Sequence, residues 1–321
     1  MSGGNRPNEG TKVLSIVVPL HNEQSTIKLF YETVQTVLSK LDVTVYFYFI
    51  DDGSGDQTLS ILKELSRHNQ QIRYISFSRH FGKEAGIYAG LQHAIGDYVA
   101  IMDVDLQDPP ELLPDMLVGV QSGQFDAVAA RRINRRGENK IRSWFSRRFY
   151  QWMNCISQTE FVDGVRDYRV MTRQMVDAIL SLPENQRFSK GIFTWVGFRT
   201  KYIPFENKPR IAGKSSWSFW SLVKYAIEAT VAFSTVPLTI VTMLGLLSSG
   251  LAVLSMLFII IRALVSNSSV AGWPSMVTII LFIGGIQLLS LGIIGRYVAA
   301  DYLEAKRRPV YVVKEQNKNI G

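Results

Sequence analysis

The chain has 321 residues, with 35 Lys and Arg against 27 Asp and Glu, a net charge of +8, 47% hydrophobic residues and a single cysteine. That lone Cys155 excludes an intrachain disulfide and fits a reducing compartment. A chain both this basic and this apolar is not composed like an ordinary soluble enzyme, and its mean hydropathy, slightly above zero, points toward a membrane surface.

Residues 1–11 are polar and broken by Gly3, Gly4, Pro7 and Gly10, so they are expected to be disordered and to carry no secretory signal. Val13–Leu20 is a β-branched strand run ending at Pro19. Glu23–Leu41 has helical spacing in Ile27, Phe30, Tyr31, Val34, Val37 and Leu38. A strand over Val43–Ile50 runs into Asp51-Asp52-Gly53-Ser54, and Asp56 caps a helix through His68. A strand at Ile72–Phe77, a helix over Gly82–Ile95, a strand at Tyr98–Met102, a helix at Glu111–Ser122 and a strand at Asp126–Ala130 follow. This alternation predicts an α/β domain with a mostly parallel sheet and helices on both faces. Ligands of such sheets sit at the carboxyl ends of the strands. The polar clusters lie there: His21-Asn22-Glu23, Asp51–Ser54, Ser78-Arg79-His80 and Asp103-Val104-Asp105.

Asp103 and Asp105 share one face if the strand persists. Two carboxylates at a strand tip suit a divalent cation holding a diphosphate, because Mg²⁺ takes oxygen ligands and often shares them with substrate phosphates. A lone D-x-D is equally an acidic loop, with Asp108 capping the helix that Pro109 and Pro110 open. No G-x-x-x-x-G-K-[ST] and no G-x-G-x-x-G after the first strand is present, so carboxylates and a metal, rather than a glycine cradle, would hold a nucleotide. No Cys/His cluster offers a zinc site.

Arg131 to Arg148 is rich in Arg and Lys, with Trp144, Phe145, Phe149, Tyr150 and Trp152 interleaved or following. Nucleic-acid binding is one reading of such a run. Basic residues with aromatics on an amphipathic helix, about 140–157, suit a membrane interface better. Residues 215–233, with Trp217, Phe219, Trp220 and Tyr225, read as a second interfacial helix. No charged residue occurs from Ala229 to Ile261, nor from Ala263 to Gly295. A span needs roughly 20 apolar residues, so transmembrane helices are predicted near 237–261 and 275–297. Lys224 precedes the pair, and Arg296, Lys306, Arg307, Arg308 and Lys314 follow the first residues of its exit, which places both ends and both termini on the cytoplasmic side. The short Asn267-Ser268-Ser269 sequon would then face outward. The implied divisions are 1–11, a catalytic domain 12–214, an interfacial helix 215–233, a hairpin 234–300 and a tail 301–321.

An ordered series of motifs runs through nearly the whole chain: Val18-Pro19-Leu20-His21-Asn22-Glu23, Asp51-Asp52-Gly53-Ser54, Ser78-Arg79-His80-Phe81-Gly82-Lys83-Glu84, Asp103 to Glu111, Asp167-Tyr168-Arg169-Val170-Met171, Lys190 to Gly197, Arg210-Ile211-Ala212-Gly213, Phe233 to Leu238, and Arg307-Arg308-Pro309-Val310-Tyr311. In this order and spacing the chain resembles the membrane-bound family 2 glycosyltransferases that load a sugar onto a polyprenyl phosphate, the bactoprenol glucosyltransferases and dolichol-phosphate mannose synthases among them. The two-span tail and the Lys190–Gly197 segment favour the bactoprenol branch. Four positions depart from the pattern: His80 stands where the family usually has Asn, Arg166 where Gly is usual, Tyr168 for Phe, and Arg296 where Glu is frequent.

The resemblance implies a GT-A (Rossmann-like) fold, a nucleotide-diphosphate sugar donor (UDP-glucose as the best guess, with N-acetylhexosamine, galactose and mannose open), Mg²⁺ or Mn²⁺, inversion, a polyprenyl (undecaprenyl) phosphate acceptor, and a homo-oligomer, by analogy a tetramer. It implies Asp105 and Asp103 as metal ligands. Pro19, Asn22, Glu23 and Asp52 would frame base and ribose, with Arg79, Lys83, Asp103 and Gln107 as further donor contacts. Asp51 is read equally as a helix-capping carboxylate. Asp167, with Arg169, matches the proposed base or orienting pair, and Asp163 is the fallback. Arg131, Arg210 and Lys214 would meet the acceptor phosphate, Arg being suited to bidentate phosphate contacts. A processive synthase would carry Gln-x-x-Arg-Trp and more spans, and the retained carboxylates speak against a non-catalytic scaffold or translocator.

Overall fold

The computed structural model describes residues 12–39, 41–133, 148, 151–156, 162–185, 187–206, 227, 230–266 and 272–317. The N-terminal stretch 1–11, Arg135, Arg136, Arg210, Lys214 and the 267–269 sequon lie outside these residues, as do most of the two expected interfacial helices.

Eight strands form one sheet in the order β7-β5-β6-β4-β1-β2-β3-β8. In chain order the elements are β1 (Val13–Leu20), α1 (Ile27–Leu38), β2 (Thr44–Asp51), α2 (Thr58–His68), β3 (Ile72–Phe77), α3 (Lys83–His93) and β4 (Tyr98–Ile101). A 3₁₀ turn at Pro110–Leu112 leads into α4 (Leu113–Gln121), then β5 (Ala127–Arg132), β6 (Val165–Thr172), α5 (Arg173–Ser181), α6 (Ser189–Trp195) and β7 (Thr200–Phe205). Two long helices, α7 (Val236–Ser266) and α8 (Trp273–Ala305), precede β8 (Val313–Gln316). The sheet is mostly parallel, as the alternation of elements predicts. The reversed strands are β6, antiparallel to β4 and β5, and β8, antiparallel to β3.

All eight residues of β1 are buried, which explains its continuous apolar run: both faces of the central strand are covered. Leu14, Ile16 and Val18 join the core under α1, α2 and α4, while Val17 joins the opposite core under α3, α5 and α6. Helix α3 lies flush on β1 because two of its residues lack a side chain. A Cβ on Gly86 would sit 3.0 Å from the Pro19 Cβ, and one on Gly90 would sit 2.1 Å from Val17 Cγ1. That close approach brings the first turn of α3, with Lys83, over the carboxyl ends of the strands.

Three differences from the sequence reading have physical causes. Helix α1 starts at Ile27 rather than Glu23, because Asn22 adopts φ +56° and the Glu23 carbonyl accepts from Thr26 in a turn. Strand β4 stops at Ile101, so Asp103 and Asp105 stand on a turn beyond the strand, with Leu106 at φ +53°. The 301–321 tail is not separate from the domain: α8 runs on to Ala305, and β8 then pairs with the edge of β3. Asn317 completes the edge, its Oδ1 accepting from Tyr74 N at 3.0 Å and its Nδ2 donating to Ile72 O at 3.0 Å. Tyr311 holds the approach by stacking on Phe77 at 4.8 Å and donating to Gln92 Oε1 at 2.9 Å.

Helices α7 and α8 span 31 and 33 residues and are apolar enough to cross a membrane, with their apolar windows Val236–Ile259 and Phe282–Ala305 unburied by the rest of the chain. Both extend beyond the predicted 237–261 and 275–297. Their open ends meet the α/β domain on one side. Phe233, just ahead of α7, packs on Phe188 at 5.6 Å, the Glu304 carboxylate accepts from Asn185 N at 3.0 Å, and Tyr297 Oη ties the two ends together by donating to Ser234 O at 2.6 Å.

Candidate active site

The carboxyl ends of β1, β2, β3 and β4 open onto one cleft, and the reversed strand β6 delivers its first residues to the same place. Ile101 at the end of β4 faces Arg169, and Arg131 near the end of β5 faces Val165. Antiparallel β6 therefore puts Arg166, Asp167 and Arg169 beside the Asp103–Asp105 turn.

One side of the cleft is built around Asp52, which is only 3% exposed. Its Oδ1 accepts from Phe81 N at 2.6 Å, its Oδ2 accepts from Gly82 N at 2.8 Å, and His80 Nδ1 lies 2.8 Å from the same Oδ2. The Asp52 carbonyl bonds His21 Nδ1 at 2.8 Å, and the His21 and His80 rings lie 4.5 Å apart. The turn is cross-tied: Asn22 N donates to Ser54 Oγ and Asn22 Oδ1 accepts from Gly55 N, both at 2.9 Å. Gly53, at φ +64°, fits where a Cβ would meet the Arg79 carbonyl carbon at 2.5 Å. Asp52, which the resemblance places at base and ribose, turns its carboxylate into the β3–α3 loop. Asp51 is no helix cap. It is fully buried and accepts from Ser76 Oγ at 2.7 Å and Ser54 N at 3.1 Å. Pro19 lies beneath α3, Glu23 accepts from its own Thr26 Oγ1, and Arg79 lies over the Phe81 ring at 3.9 Å.

The other side is built from ion pairs. Lys83 Nζ donates to both oxygens of Asp103, at 2.7 and 2.9 Å, and to Asp167 Oδ2 at 2.6 Å. Burial disfavours its charge, yet Asp103 and Asp167 hold the ammonium protonated far above the usual lysine range. Burial pushes the Asp167 carboxyl up, but Lys83, Lys190 and Arg169 outweigh it and hold the group well below the usual carboxylate range. Arg166 reaches across to Asp108, Nε to Oδ1 at 2.9 Å, with its Nη2 3.8 Å from Asp103. Asp108 is thus tied to β6 rather than capping the next helix, whose N-terminus carries no side-chain cap. Burial, opposed by Arg166, pushes its carboxyl up to about 6. Its Oδ2 and the Tyr168 hydroxyl are both buried with no hydrogen-bond partner among the described residues. Burial, partly offset by Asp167, brings the Arg169 guanidinium down to about 10; it stacks on Phe193 at 3.8 Å and donates to the carbonyls of Asp167 and Arg166. Asp105 is nearly buried, and its Oδ1 accepts from Gln107 N at 3.2 Å. Arg131 Nε donates to Asp163 O at 3.0 Å.

No group of three or more His, Cys, Asp or Glu side chains converges as a metal cage among the described residues. The Asp103–Asp105 turn offers hard carboxylate oxygens, Asp103 partly open and Asp105 nearly buried. That donor set fits Mg²⁺ or Mn²⁺ completing its shell from a diphosphate and water, since Mg²⁺ is commonly held by one or two carboxylates plus substrate phosphates.

Glu84 closes the Ser78–Glu84 motif, but the sequence assigns it no role. It accepts from Ser189 N at 2.9 Å and from Ser189 Oγ in a short hydrogen bond, tying the start of α6 to α3. Burial, and then the Asp167 charge, push its carboxyl up. Lys190 and Phe193 follow on α6, facing Asp167 and Arg169. The role of Arg166 is equally unpredicted; its only trace in the sequence is an arginine where the resembled family has glycine.

Residues 15–180 match the family model Glycosyl transferase family 2. The Shigella phage SfV bactoprenol glucosyl transferase is 39% identical over 305 residues, 95% of this chain and 99% of its own. The prophage bactoprenol glucosyl transferase homolog of Escherichia coli K12 is 38% identical over 95% of this chain and 99% of its own. CsbB of Bacillus subtilis, named as a glycosyltransferase without a stated substrate, is 40% identical over 95% of this chain and 92% of its own. The solved mannosyl-3-phosphoglycerate synthase of Rubrobacter xylanophilus superposes at a TM-score of 0.48 and 15% identity, covering 69% of this chain and 72% of that one, too loosely to bear on the site.

Proposed function

The chain belongs to glycosyl transferase family 2 and is a glycosyltransferase, and from that membership we propose that it moves a glucosyl group from UDP-glucose to a polyprenyl phosphate at the cytoplasmic membrane face. The observation that carries this reading is the meeting of donor-type carboxylates and acceptor-type cations in one cleft, on a domain joined to two membrane-length helices. Relatives named as bactoprenol glucosyl transferases, aligned end to end, support the choice of sugar and acceptor.

In this reading Asp105 and Asp103 hold Mg²⁺ or Mn²⁺ against the donor diphosphate. The bound cation supplies neutralisation of the charge that develops on the leaving diphosphate. Asn22, Glu23 and the Asp52 loop shape the base and ribose pocket, Pro19 supports it, and Arg79, Lys83 and Gln107 face the phosphates. The attacking atom is an acceptor phosphate oxygen. A phosphate monoester has its second pKa near ~6, so this oxygen is already ionised at neutral pH. Asp167, held ionised by its cations, therefore orients rather than abstracts. Arg169 and Arg131, with Arg210 and Lys214 from outside the described residues, balance the acceptor's charge. Both open ends of the hairpin contact the α/β domain, which supports a cytoplasmic catalytic domain with both helix ends on its side. The acceptor's phosphate then lies at the domain while its prenyl tail stays in lipid.

Membranes carrying the protein, supplied with radiolabelled UDP-glucose and polyprenyl phosphate, should yield organic-extractable label that a chelator removes and Mg²⁺ or Mn²⁺ restores. Asp105→Asn should abolish it. Absence of extractable label with UDP-glucose, while another nucleotide sugar is used, would reassign the sugar; absence with every donor would end the proposal.

A further inference from the structure

The ammonium of Lys83 occupies a position that a donor-bound cation would also claim. It lies 2.7 and 2.9 Å from the two oxygens of Asp103 and 2.6 Å from Asp167 Oδ2. These are charge-assisted hydrogen-bond distances, and both Asp103 oxygens are engaged. The three residues come from α3, from the turn after β4 and from β6, so the ammonium joins the donor-facing carboxylate to the acceptor-facing one. Its backbone is fixed, because α3 is seated on β1 through Gly86 and Gly90. The side chain is partly open to solvent: it is 40% exposed, against 22% for Asp103 and 16% for Asp167. A lysine stem of four methylenes pivots easily, and its point charge carries no directional fork to hold it.

We propose that Lys83 is an internal counter-ion that stands in for the divalent cation on Asp103 while the donor is absent, and that arrival of the cation with its diphosphate moves the ammonium off Asp103 and onto the leaving phosphates. This rests on the donor-site reading above and deepens it. Lys83 takes both Asp103 oxygens, and a divalent cation placed on either would repel the ammonium, so the two compete for Asp103 until the diphosphate gives the ammonium a new partner. The free enzyme thereby keeps its carboxylates neutralised and holds metal weakly without nucleotide. It also keeps Asp167 tied to Lys83 until the donor is in place, so donor precedes acceptor.

Mn²⁺ binding to the purified full-length protein in detergent, followed by electron paramagnetic resonance without any nucleotide, tests this directly. Lys83→Met and Lys83→Gln should each bind Mn²⁺ at least about tenfold more tightly than the wild type, because Asp103 is released. Lys83→Arg, which keeps a cation on the carboxylates, should stay near the wild type. With UDP present the order should reverse, the wild type holding Mn²⁺·UDP more tightly than either neutral variant. The Gln variant retains hydrogen-bond donors toward both carboxylates and covers the case in which the Met variant fails to fold. Neutral variants that bind nucleotide-free Mn²⁺ no better than the wild type, including no binding at all, overturn the proposal. Because this readout uses neither sugar nor lipid, its failure is distinct from a failure to label polyprenyl phosphate.

Discussion

Asp52 and Asp103 stand at the ends of β2 and β4, the two strands that flank β1, and the chain satisfies these two carboxylates in opposite ways. Asp52 is buried and receives two backbone N–H groups and an imidazole, all from the loop between β3 and α3. Asp103 is partly open and is satisfied by two long side chains, Lys83 and Arg166, at the ends of flexible stems. Backbone donors are fixed by the fold and give a rigid rim. Side-chain cations can leave for a better partner, which a site that must admit a diphosphate and later release it requires. The first arrangement should show its loss in stability and the second in turnover.

Breaking the rigid side gives the largest expected effect. Asp52→Ala leaves the Phe81 and Gly82 amides without an acceptor, at about 3 kcal/mol, since buried donors left unpaired cost about 1–3 kcal/mol each. Thermal unfolding of the purified protein should fall by several degrees, and an unchanged midpoint would refute the rigid-rim reading. On the mobile side, Asp167→Asn should lower turnover about 100-fold, the scale of a misplaced reacting group, with a smaller fall in the unfolding midpoint than Asp52→Ala, because the Asn carbonyl still accepts from Lys83 Nζ. Steady-state labelling of polyprenyl phosphate beside a thermal melt separates the two effects.

Glu84→Ala sharpens the comparison, because Glu84 carries backbone and side-chain bonds at once. Losing both bonds to Ser189 loosens the start of α6 beneath Arg169. Turnover should drop about tenfold, equivalent to one charged hydrogen bond of about 1.5 kcal/mol, with Glu84→Gln recovering most of it. The smallest effect concerns the tail. Burial lowers the His93 pKa below its ordinary 6.5, and its Nε2 lies 3.3 Å from Tyr311 Oη. A histidine depressed in the folded state binds more protons when released, so stability is present above 6.5 and declines as pH falls below it. Hydrogen exchange of the β8 amides should therefore quicken as the pH drops below that value, and His93→Gln should remove the dependence.

Much of this was legible in the sequence where the signal is local. The all-buried β1, the helical spacing of α1 and the two uncharged runs each follow from which residues recur at which interval, so strands, helices and membrane-length segments were predicted close to their observed places. The boundaries that shifted did so for backbone reasons that composition does not reveal, as at Asn22, whose positive φ ends the β1 loop and delays α1. Val313–Gln316 was unreadable as a strand: Val-Lys-Glu-Gln has no strand pattern and becomes one only because β3 offers an unpaired edge.

The ordered motifs identified which residues gather in the cleft, and the reversed direction of β6 is what puts Asp167 next to Asp103. Sequence alone determined the α/β class, the two membrane-length apolar segments and the list of carboxylates and cations, because burial periodicity and motif spacing are properties of short stretches. Only the tertiary structure decided who pairs with whom: Asp52 with the Phe81–Gly82 amides, Asp108 with Arg166, Glu84 with Ser189, and Lys83 with both Asp103 and Asp167. A charged side chain near a cleft has several carboxylates within reach of its sequence neighbourhood and beyond, and the choice among them is made by distances that exist only once α3 is seated on β1 and β6 lies against β4.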